Sequence, residues 1–486
     1  MFHGTIFYGL LIFELTKRQP LAGLFVIYLV FSSLFRAAFN YLRRNRREKF
    51  FLAFGRPLNR RTKILGFFHP YCNAGGGGER VLWTAIASIQ RSHPEIISVV
   101  YSGDTDATKS EIIAKVKSRF AINLDPKALH FVFLQSRHLV EDTTWPHFTL
   151  LGQSLGSMYM AVEAMCRLVP DLYIDTMGYA FTYPVIRKLT GISCGAYVHY
   201  PTISTDMLAR VRSRRDGYAN ASWISSSPIL TGGKLLYYRI FMYYYSASLR
   251  SASFVMANST WTKNHFAVRV YPPCDTKEMA KYPLADREPI IVSVAQFRPE
   301  KDHPAQLRAL HALFEAYPQH RETIKLVLIG GSRNAEDAAR VESLRALAVT
   351  LGLEARATES VEFRINAPYP EMLEMLGRSS IGLSTMVDEH FGINVVEYMA
   401  AGVIPVAHAS AGPLLDIVVP WEGQPTGFHA ETPPEYAHRL HHVLTLLRDD
   451  DLAMRERARK AAVTRFSEAE FERRWNASGW QKWMPL

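Results

Sequence analysis

The segment from Val387 to Val406 constrains the fold of this chain more than any other part of its sequence. Its pattern predicts a loop up to Gly392, a short helix that stops at Gly402, and then a buried strand of apolar residues. A loop that leads into a helix and on to a buried strand is typical of α/β domains. Since open α/β sheets bind ligands at one edge, we expect this loop to meet a ligand.

The start of this helix predicts an anion site. A helix that begins near Gly392 presents unpaired amides and the positive end of its dipole to a group such as a diphosphate. Glu397, further along the helix, can accept hydrogen bonds from ribose hydroxyls, and Glu389, before the helix, can meet a sugar hydroxyl. The expected nucleotide-binding residues of this segment are Phe391, Gly392, Ile393, Asn394 and Glu397.

The residues around the two glutamates resemble those of a known family. Glu389 and Glu397 enclose seven residues that include Phe391-Gly392, and Ala400-Ala401-Gly402-Val403-Ile404-Pro405-Val406 follows. This arrangement resembles the donor-site signature of retaining glycosyltransferases of family 4. An ordinary surface helix with two glutamates is the alternative for the spacing, but the flanking residues argue against it. The resemblance implies the GT-B fold, an α/β architecture in which two Rossmann-like domains face each other across a cleft.

Length and composition agree with two globular domains. The chain has 486 residues, of which 48% are hydrophobic and 21% charged, and this balance excludes a disordered protein. No Lys/Arg run is interleaved with aromatics, so we expect no nucleic-acid partner. The net charge of +11 suits an anionic membrane surface or a diphosphate ligand. The four cysteines form no Cys-x-x-Cys pair, which indicates a reducing compartment.

Residues 1–42 are predicted to be a membrane anchor. Leu21 to Phe35 runs without a charge but falls short of the ~20 residues that cross a bilayer. Two arrangements remain open: a spanning helix extended to about Tyr41, or a helical hairpin that also uses the apolar run 4–13. The basic linker at 43–62 follows and places the rest of the chain in the cytoplasm.

The first predicted domain spans residues 63–275 and begins with a glycine loop. Lys63–Phe68 is a predicted strand, and Val81–Ile89 a predicted helix. A glycine loop between strand and helix can cradle a phosphate, although a flexible turn would have the same composition. The string around this loop resembles one subgroup of the family, the α-1,2-mannosyltransferases that act on dolichol-linked oligosaccharides. The loop residues are Gly75, Gly76, Gly77, Gly78 and Glu79.

Two further features of this domain are candidates for function. His199 ends the predicted strand Cys194–His199, at the edge where such sheets bind ligands. The family resemblance places a comparable histidine near the transferred sugar, whereas a core or loop histidine is the alternative; Asp175 is a weaker candidate of the same kind. A tyrosine-rich helix at Leu235–Tyr245 is either interfacial, touching a membrane, or an ordinary core helix. A polar loop is predicted before it, at 202–230.

The second predicted domain spans residues 276–466 and binds the donor. After the predicted strand Ile290–Gln296, Arg298 and Lys301 can bind phosphate oxygens. The family carries Gly-Arg-Leu-x-x-x-Lys here, and in this chain Gln296 takes the usual arginine position. The backbone at Gly330 and Gly331 is predicted to be a second place that comes close to the nucleotide. Residues 467–486 are predicted as a helix that crosses back to the first domain.

The resemblance also implies a reaction. It implies a retaining α-1,2-mannosyltransferase that moves mannose from GDP-mannose to dolichol-diphosphate-linked Man(3)GlcNAc(2), adding the fourth and fifth mannoses. The catalytic domains would lie on the cytosolic face of the endoplasmic reticulum membrane, beside other mannosyltransferases of the pathway. Glu389 and His199 would be the catalytic residues, with neither a metal nor a cofactor. The alternatives are a UDP-sugar enzyme of the same family and a non-catalytic membrane scaffold.

Overall fold

A computed structural model describes residues 43–54, 62–200, 227–263, 268–353 and 360–485, with isolated positions at 30, 41, 202, 203, 208, 211 and 212. The predicted anchor, apart from positions 30 and 41, and most of the loop predicted before the tyrosine-rich helix lie outside the described residues. Within the part of the chain that is described, no helix is long and apolar enough to cross a bilayer.

The described part of the predicted basic linker is mostly helical. Residues 43–53 form helix α1, whose Phe50 and Phe51 are buried in the core on one face of the first sheet. Arg47 donates a hydrogen bond to Asp171 at 2.8 Å. The phenylalanines give the helix a face that packs on the core, and Arg44 and Arg46 are exposed on the other side.

The first half of the chain forms a sheet of seven parallel strands in the order β3-β2-β1-β4-β5-β6-β7. Its central strands are buried on both faces, as an all-parallel sheet covered by helices requires. The strands are β1 (Lys63–Phe68), β2 (Ile96–Ser102), β3 (Leu129–Phe133), β4 (Leu172–Asp175), β5 (Ser193–Val198), β6 (Phe254–Ala257) and β7 (Val268–Arg269). The helices are α2 (Gly77–Ser92), α3 (Lys109–Phe120), α4 (Thr149–Arg167), α5 (Thr182–Thr190) and α6 (Pro228–Leu249).

Three element ends differ from the prediction for local reasons. Helix α2 begins at Gly77, before the predicted start, because the Glu79 carboxylate accepts from the Gly76 amide and caps the helix. Helix α6 begins at Pro228, inside the predicted loop, since Ser227 caps it and proline suits the first turn. Strand β5 ends at Val198, so His199 lies just beyond the strand.

The second half forms a six-stranded parallel sheet in the order β10-β9-β8-β11-β12-β13. Its strands are β8 (Glu288–Val294), β9 (Lys325–Gly330), β10 (Val361–Ile365), β11 (Ser379–Ser384), β12 (Ile404–His408) and β13 (Phe428–Ala430). The helices that cover it are α7 (His303–Ala316), α8 (Ala335–Thr350), α9 (Tyr369–Arg378), α10 (Ile393–Ala401), α11 (Pro433–Leu444) and α12 (Arg448–Phe466), and α13 (Glu468–Ala477) follows. Helix α13 packs on α2 of the first half, where Glu468 accepts from Arg80 at 3.2 Å.

Each sheet has one point at which the direction of strand progression reverses. In the first sheet this point lies between β1 and β4, and in the second it lies between β8 and β11. Such a reversal leaves a crevice outside the carboxyl ends of the two central strands, and ligands of open α/β sheets bind there. The residues that follow β1, β4, β8 and β11 are therefore the places to look for a site.

Candidate active site

The crevice of the second sheet holds an ion pair. Lys301 follows β8 and Glu389 follows β11, and the Lys301 ammonium donates to the Glu389 carboxylate. The Lys301 Nζ also lies 3.2 Å from the Met386 sulfur. The Thr385 hydroxyl ties the two loops together, because it contacts the carbonyls of Lys301 and Asp302 at 3.2 and 2.9 Å. The structure thus brings together two residues that lie 88 positions apart in sequence.

Helix α10 begins beside this pair. Its N-cap is Gly392, whose positive φ of 96° is a conformation that glycine adopts without strain. The amides of Val395 and Val396 donate to the Gly392 carbonyl, so the amides that precede them have no partner inside the helix. A Cβ on Gly392 would lie 3.3 Å from the Glu389 Cγ, which places the helix start next to the carboxylate. The arrangement offers amides, a helix dipole and an ammonium to one anion.

Phe391 and Asn394, two predicted nucleotide-binding residues at this helix start, have side chains that stabilise the fold. Phe391 is buried, with its ring 5.7 Å from that of Tyr271 and 5.5 Å from that of Phe466. The Asn394 side-chain amide donates to the Val294 carbonyl at 3.2 Å. Only their backbone amides are therefore placed to bind a ligand, while the side chains hold the helix against the end of β8.

Glu397 faces the first half of the chain from helix α10. Burial raises the pKa of its carboxyl to about 7, although the positive charges of Arg80 and Arg119 oppose this rise. Arg80 is itself buried on α2. A carboxylate near a buried guanidinium joins the two halves electrostatically, at the position where the sequence predicts ribose recognition.

We expect Glu397→Gln to change how the stability of the ligand-free protein depends on pH. The ordinary pKa of the carboxyl is 4.5 and the folded value is about 7, so the folded state binds the proton more tightly. The stabilisation is full below the unfolded pKa and is lost as the pH rises from about 4.5 to about 7. Glutamine stays neutral, so the variant should gain about 2 kcal/mol relative to wild type between pH 5 and pH 8. Urea unfolding at both pH values measures this, and Glu342→Gln, an exposed carboxylate, is the control. A pH-independent difference between Glu397→Gln and wild type would contradict the expectation.

The second predicted cation lies in a different environment from Lys301. The Arg298 Nη1 is 3.8 Å from the Glu300 carboxylate, and its Nε is buried without a hydrogen-bond partner among the described residues. Hydrogen bonding from Arg333 lowers the pKa of Asp337, and the charge of Arg298 contributes to that lowering. Arg298 therefore lies toward the start of α8, whereas Lys301 lies toward Glu389.

Gly330 and Gly331, at the end of β9, differ in the space around them. A Cβ on Gly330 would lie 2.0 Å from the Ala295 carbonyl oxygen, whereas one on Gly331 would lie 3.7 Å from the Asn366 side chain, an ordinary contact. Gly330 is therefore required for close packing of the β8 and β9 ends. Gly331 has room for a methyl group.

This difference predicts unequal effects of two adjacent substitutions. Gly330→Ala is expected to destabilise the protein by about 2–3 kcal/mol, since backbone must shift to relieve the clash. Gly331→Ala is expected to stay within about 0.5 kcal/mol of wild type. Urea unfolding at one pH gives both values, and the second variant is the matched control for the first. Equal destabilisation by the two alanines would contradict the packing described above.

The crevice of the first sheet holds a chain of hydrogen bonds. His69 follows β1, and its Nδ1 lies 2.8 Å from the hydroxyl of Thr176, which follows β4. The Thr176 carbonyl accepts from the Nε2 of His199 at 3.0 Å. Burial lowers the pKa of His199 to about 4, so the imidazole is neutral at pH 7. Because Nε2 carries the proton, Nδ1 is the His199 nitrogen left to accept a hydrogen bond from a ligand.

The glycine loop is attached to the same chain. Glu79 accepts from the Gly76 amide with one carboxylate oxygen, and its other oxygen lies 3.3 Å from the His69 Nε2. Burial alone would raise the pKa of Glu79, but the hydrogen bonds from His69 and Gly76 outweigh it and lower the pKa. A Cβ on Gly78 would lie 3.6 Å from His199. Glu79 therefore fixes the loop beside His199.

The Asp175 carboxylate stabilises a turn rather than facing the gap between the halves. Its buried carboxylate accepts from the amides of Met177 and Gly178 and from the hydroxyl of Tyr183. These bonds form a turn at the end of β4 and leave the carboxylate enclosed. Asp175, the weaker candidate for function, thus supports the loop that carries Thr176.

The two crevices face each other across a narrow gap. The His390 ring stacks on Tyr200 at 4.8 Å and lies 5.1 Å from Trp261, and both partners belong to the first half. A Cβ on Gly77 would lie 3.9 Å from the Ile393 side chain, so the glycine loop adjoins the start of α10. The halves thus meet around the two sets of candidate residues.

A second contact between the halves is polar. The buried Asp416, in the π-helical turn Pro413–Ile417, accepts from the Thr260 amide and hydroxyl and from the Tyr271 hydroxyl. These bonds fix the turn that follows β12 against the first sheet. The contact therefore holds the two halves together beside the gap and does not itself line the gap.

Several residues of this site were not selected by sequence reasoning, namely His69, Arg80, Thr176, Tyr200, Trp261 and His390. His69 could have been found, because it directly follows the first predicted strand. The others depend on sheet order or on the contact between the halves. Among the described residues, no group of three or more His, Cys, Asp or Glu side chains is placed to hold a metal ion.

Comparison with known proteins agrees with two functional halves. The profile "ALG11 mannosyltransferase N-terminus" matches residues 62–268, and "Glycosyl transferases group 1" matches residues 275–465. The solved structures of sucrose-phosphate synthase from Thermosynechococcus elongatus and of Anabaena HepE in complex with UDP and glucose share the fold. Their TM-scores are 0.61 and 0.54, at 15% and 17% identity, and each comparison covers 85% of this chain and 98% or 97% of the other.

Curated relatives match nearly the whole length. A human protein named GDP-Man:Man(3)GlcNAc(2)-PP-Dol alpha-1,2-mannosyltransferase is 48% identical over 84% of this chain and 85% of its own. Proteins of the same name from Dictyostelium discoideum and Kluyveromyces lactis are 46% and 39% identical, over 84% and 90% of this chain and 82% and 81% of their own.

Two parallel-sheet α/β halves with facing crevices, one matched by the group 1 profile, define a glycosyltransferase of the GT-B type. Within that class, the chain belongs to the family of GDP-Man:Man(3)GlcNAc(2)-PP-Dol α-1,2-mannosyltransferases.

Proposed function

We propose that this protein transfers mannose from GDP-mannose to a mannose 2-hydroxyl of dolichol-diphosphate-linked Man(3)GlcNAc(2), with retention at the anomeric carbon. The observation that carries the proposal is the Lys301–Glu389 pair at the start of α10, opposite His199 and the glycine loop. The names of relatives that match most of the chain supply the sugar, the nucleotide and the acceptor.

The chemistry requires positive charge at the leaving group. As the glycosidic bond breaks, the electron pair stays with the GDP diphosphate, whose charge becomes more negative. Lys301 and the amides at the start of α10 stabilise this charge, Arg298 adds a second cation, and no metal or cofactor is part of the proposal. Glu389 orients the sugar and Glu397 binds the ribose. The acceptor hydroxyl attacks from the side of the leaving diphosphate and gives its proton to a phosphate oxygen.

The first half contributes the acceptor side. The Nδ1 of the neutral His199 accepts a hydrogen bond from a hydroxyl of the transferred mannose, and the chain from Glu79 through His69 holds the ring in position. The glycine loop closes the gap against Ile393 and excludes water. The proposed boundaries are 63–275 for this acceptor domain and 276–466 for the donor domain, with 467–486 returning to the first.

Membrane attachment completes the proposal. The apolar runs before residue 43 and the arginines that follow them support an anchor at the amino terminus, with the two domains on the cytosolic face of the endoplasmic reticulum. The acceptor is a membrane lipid, so attachment keeps the enzyme at the surface that carries its substrate. Other mannosyltransferases of the same pathway are expected neighbours.

The purified full chain in lipid vesicles tests the function. Incubation with GDP-mannose and dolichol-diphosphate Man(3)GlcNAc(2) should add two hexoses, both released by an α-1,2-specific mannosidase. UDP-glucose, UDP-galactose and UDP-GlcNAc are run in parallel as donors, with chelator present in half the samples. Transfer from a UDP-sugar alone would favour a UDP-sugar enzyme of the same family. Binding of GDP-mannose without transfer to any acceptor would favour a non-catalytic membrane scaffold. Either result overturns the proposal, and loss of transfer in chelator overturns its metal-free form.

A further inference from the structure

Strands β8 and β11 separate at the switch point of the second sheet. They pair as far as Val292 and Gly382, and β8 then continues beside β9 up to Val294. The two strands lead into the loops that carry Lys301 and Glu389. The distance between the two strand ends therefore determines how these loops face each other.

The Tyr398 side chain of helix α10 lies between the separating strands. Its hydroxyl accepts from the Val294 amide of β8 at 2.8 Å and donates to the Leu383 carbonyl of β11 at 3.4 Å. The residue is fully buried, and a Cβ on Gly382 would overlap its ring, so β11 needs glycine there to admit the ring. One hydroxyl thus links the two strands where their own pairing ends.

A second side chain of α10 binds the same end of β8. Asn394 donates to the Val294 carbonyl at 3.2 Å, and its amide nitrogen lies 3.5 Å from the Tyr398 hydroxyl. Burial raises the pKa of the Tyr398 hydroxyl, so it stays protonated and can donate at neutral pH. Helix α10 therefore binds both the amide and the carbonyl of Val294.

We infer that Tyr398 is a positioning residue for the donor diphosphate. Its hydroxyl sets the separation of β8 and β11, and with it the spacing between Lys301 and Glu389. It also holds the first amides of α10 beside that pair. Because Tyr398 is fully buried, it acts through these groups and not by contact with a ligand. The diphosphate in this inference rests on the proposed function, whereas the hold of Tyr398 on α10 is a property of the ligand-free protein.

The variant Tyr398→Phe tests the inference, with Tyr436→Phe as the matched control. Tyr436 is a buried tyrosine of α11 in the core on the other face of the same sheet. Its hydroxyl donates to the Ser384 carbonyl of β11 at 3.1 Å. Each variant removes one hydroxyl that binds the end of β11, so both should lower the melting temperature. Only the Tyr398 hydroxyl attaches α10 to β8.

Hydrogen exchange of the full chain without ligand is the first readout. In Tyr398→Phe, the amides of residues 389–397 should exchange at least about tenfold faster than in wild type, because the start of α10 is no longer held to β8. In Tyr436→Phe, this segment should exchange as in wild type. Equal exchange in the three proteins overturns the inference. An equal increase in both variants also overturns it, since a general loss of stability would then explain the change.

Titration calorimetry with GDP is the second readout. Tyr398→Phe should bind GDP about tenfold more weakly than wild type, whereas Tyr436→Phe should stay within about twofold. In the transfer assay, Tyr398→Phe should raise the KM for GDP-mannose and leave the KM for the lipid-linked acceptor unchanged, because its contacts all lie in the second half. Unchanged GDP affinity in Tyr398→Phe, or an equal loss in both variants, overturns the inference.

The variant Asn394→Ala keeps the inference testable if Tyr398→Phe does not fold. It removes the other side chain that binds Val294, and it should weaken GDP binding about threefold and speed exchange at 389–397. No change in either quantity would contradict the hold of α10 on β8. If wild type binds GDP but transfers no mannose, the proposed function fails, while both readouts still decide the role of Tyr398.

Discussion

Glu389→Gln is expected to lower the transfer rate by about 10³-fold while the protein stays folded. Glutamine keeps the shape of the side chain but loses the charge that accepts from Lys301 and, in the proposed complex, from the sugar hydroxyl. The site then holds an ammonium without its counter-charge and a sugar without its strongest acceptor. Both losses act on the transition state, so kcat should fall more than KM rises.

Steady-state kinetics with GDP-mannose and the lipid-linked acceptor measure this effect. Glu300→Gln is the matched control, because Glu300 lies on the neighbouring loop and is 3.8 Å from Arg298. It should stay within about threefold of wild type. A Glu389→Gln enzyme with a similarly small change would remove Glu389 from the reaction, provided that its melting curve matches that of wild type.

Lys301→Met is expected to weaken GDP binding by about 10²-fold and to slow transfer by at least as much. The methionine side chain retains most of the apolar length of lysine and loses the ammonium that is proposed to bind phosphate oxygens. Lys301 is only 22% exposed, so water cannot replace the lost charge fully. Titration calorimetry with GDP and the same transfer assay provide the two readouts.

Lys301→Arg should restore part of the binding, since a guanidinium keeps the charge but not the geometry. Lys281→Met removes an exposed lysine and should have no effect. The double variant Glu389→Gln/Lys301→Met should lose less than the sum of the single losses, because the residues are in contact. Additive losses, or unchanged GDP affinity in Lys301→Met, would contradict a shared role at the diphosphate.

Strands were predicted better than helix ends. The strand Lys63–Phe68 has the predicted bounds, and the predicted strand Cys194–His199 is shifted by one residue at each end. Apolar runs between charged or turn residues mark a buried strand clearly. The starts of α2 and α6 were misplaced, since caps at Gly76 and Ser227 decide them and a cap is a local geometry that apolar periodicity does not record.

The part of the site on the second sheet was predicted from sequence more fully than the part on the first sheet. Lys301, Glu389 and Gly392 are brought together as expected, because each follows a recognisable strand or opens a recognisable helix. The His69–Thr176 contact was not predicted, since it depends on β1 pairing with β4 and not only with β2. Sequence order does not determine which distant strands become neighbours.

The directions of individual side chains could not be predicted from the sequence either. Sequence placed Phe391 and Asn394 beside the nucleotide, but their side chains pack in the core and bind the end of β8. A helix start presents amides to a ligand while its side chains project elsewhere. The predicted anchor at 1–42 and the domain boundaries stay predictions.

A structure of the full chain with GDP bound, determined in the presence of chelator, would show whether Lys301 and the start of α10 bind the diphosphate. We expect diphosphate oxygens about 3 Å from the Lys301 Nζ and from the amides at the start of α10, with Glu389 on the sugar side. A diphosphate bound at the glycine loop or elsewhere, with Lys301 and those amides making no contact to it, would contradict the proposed donor site.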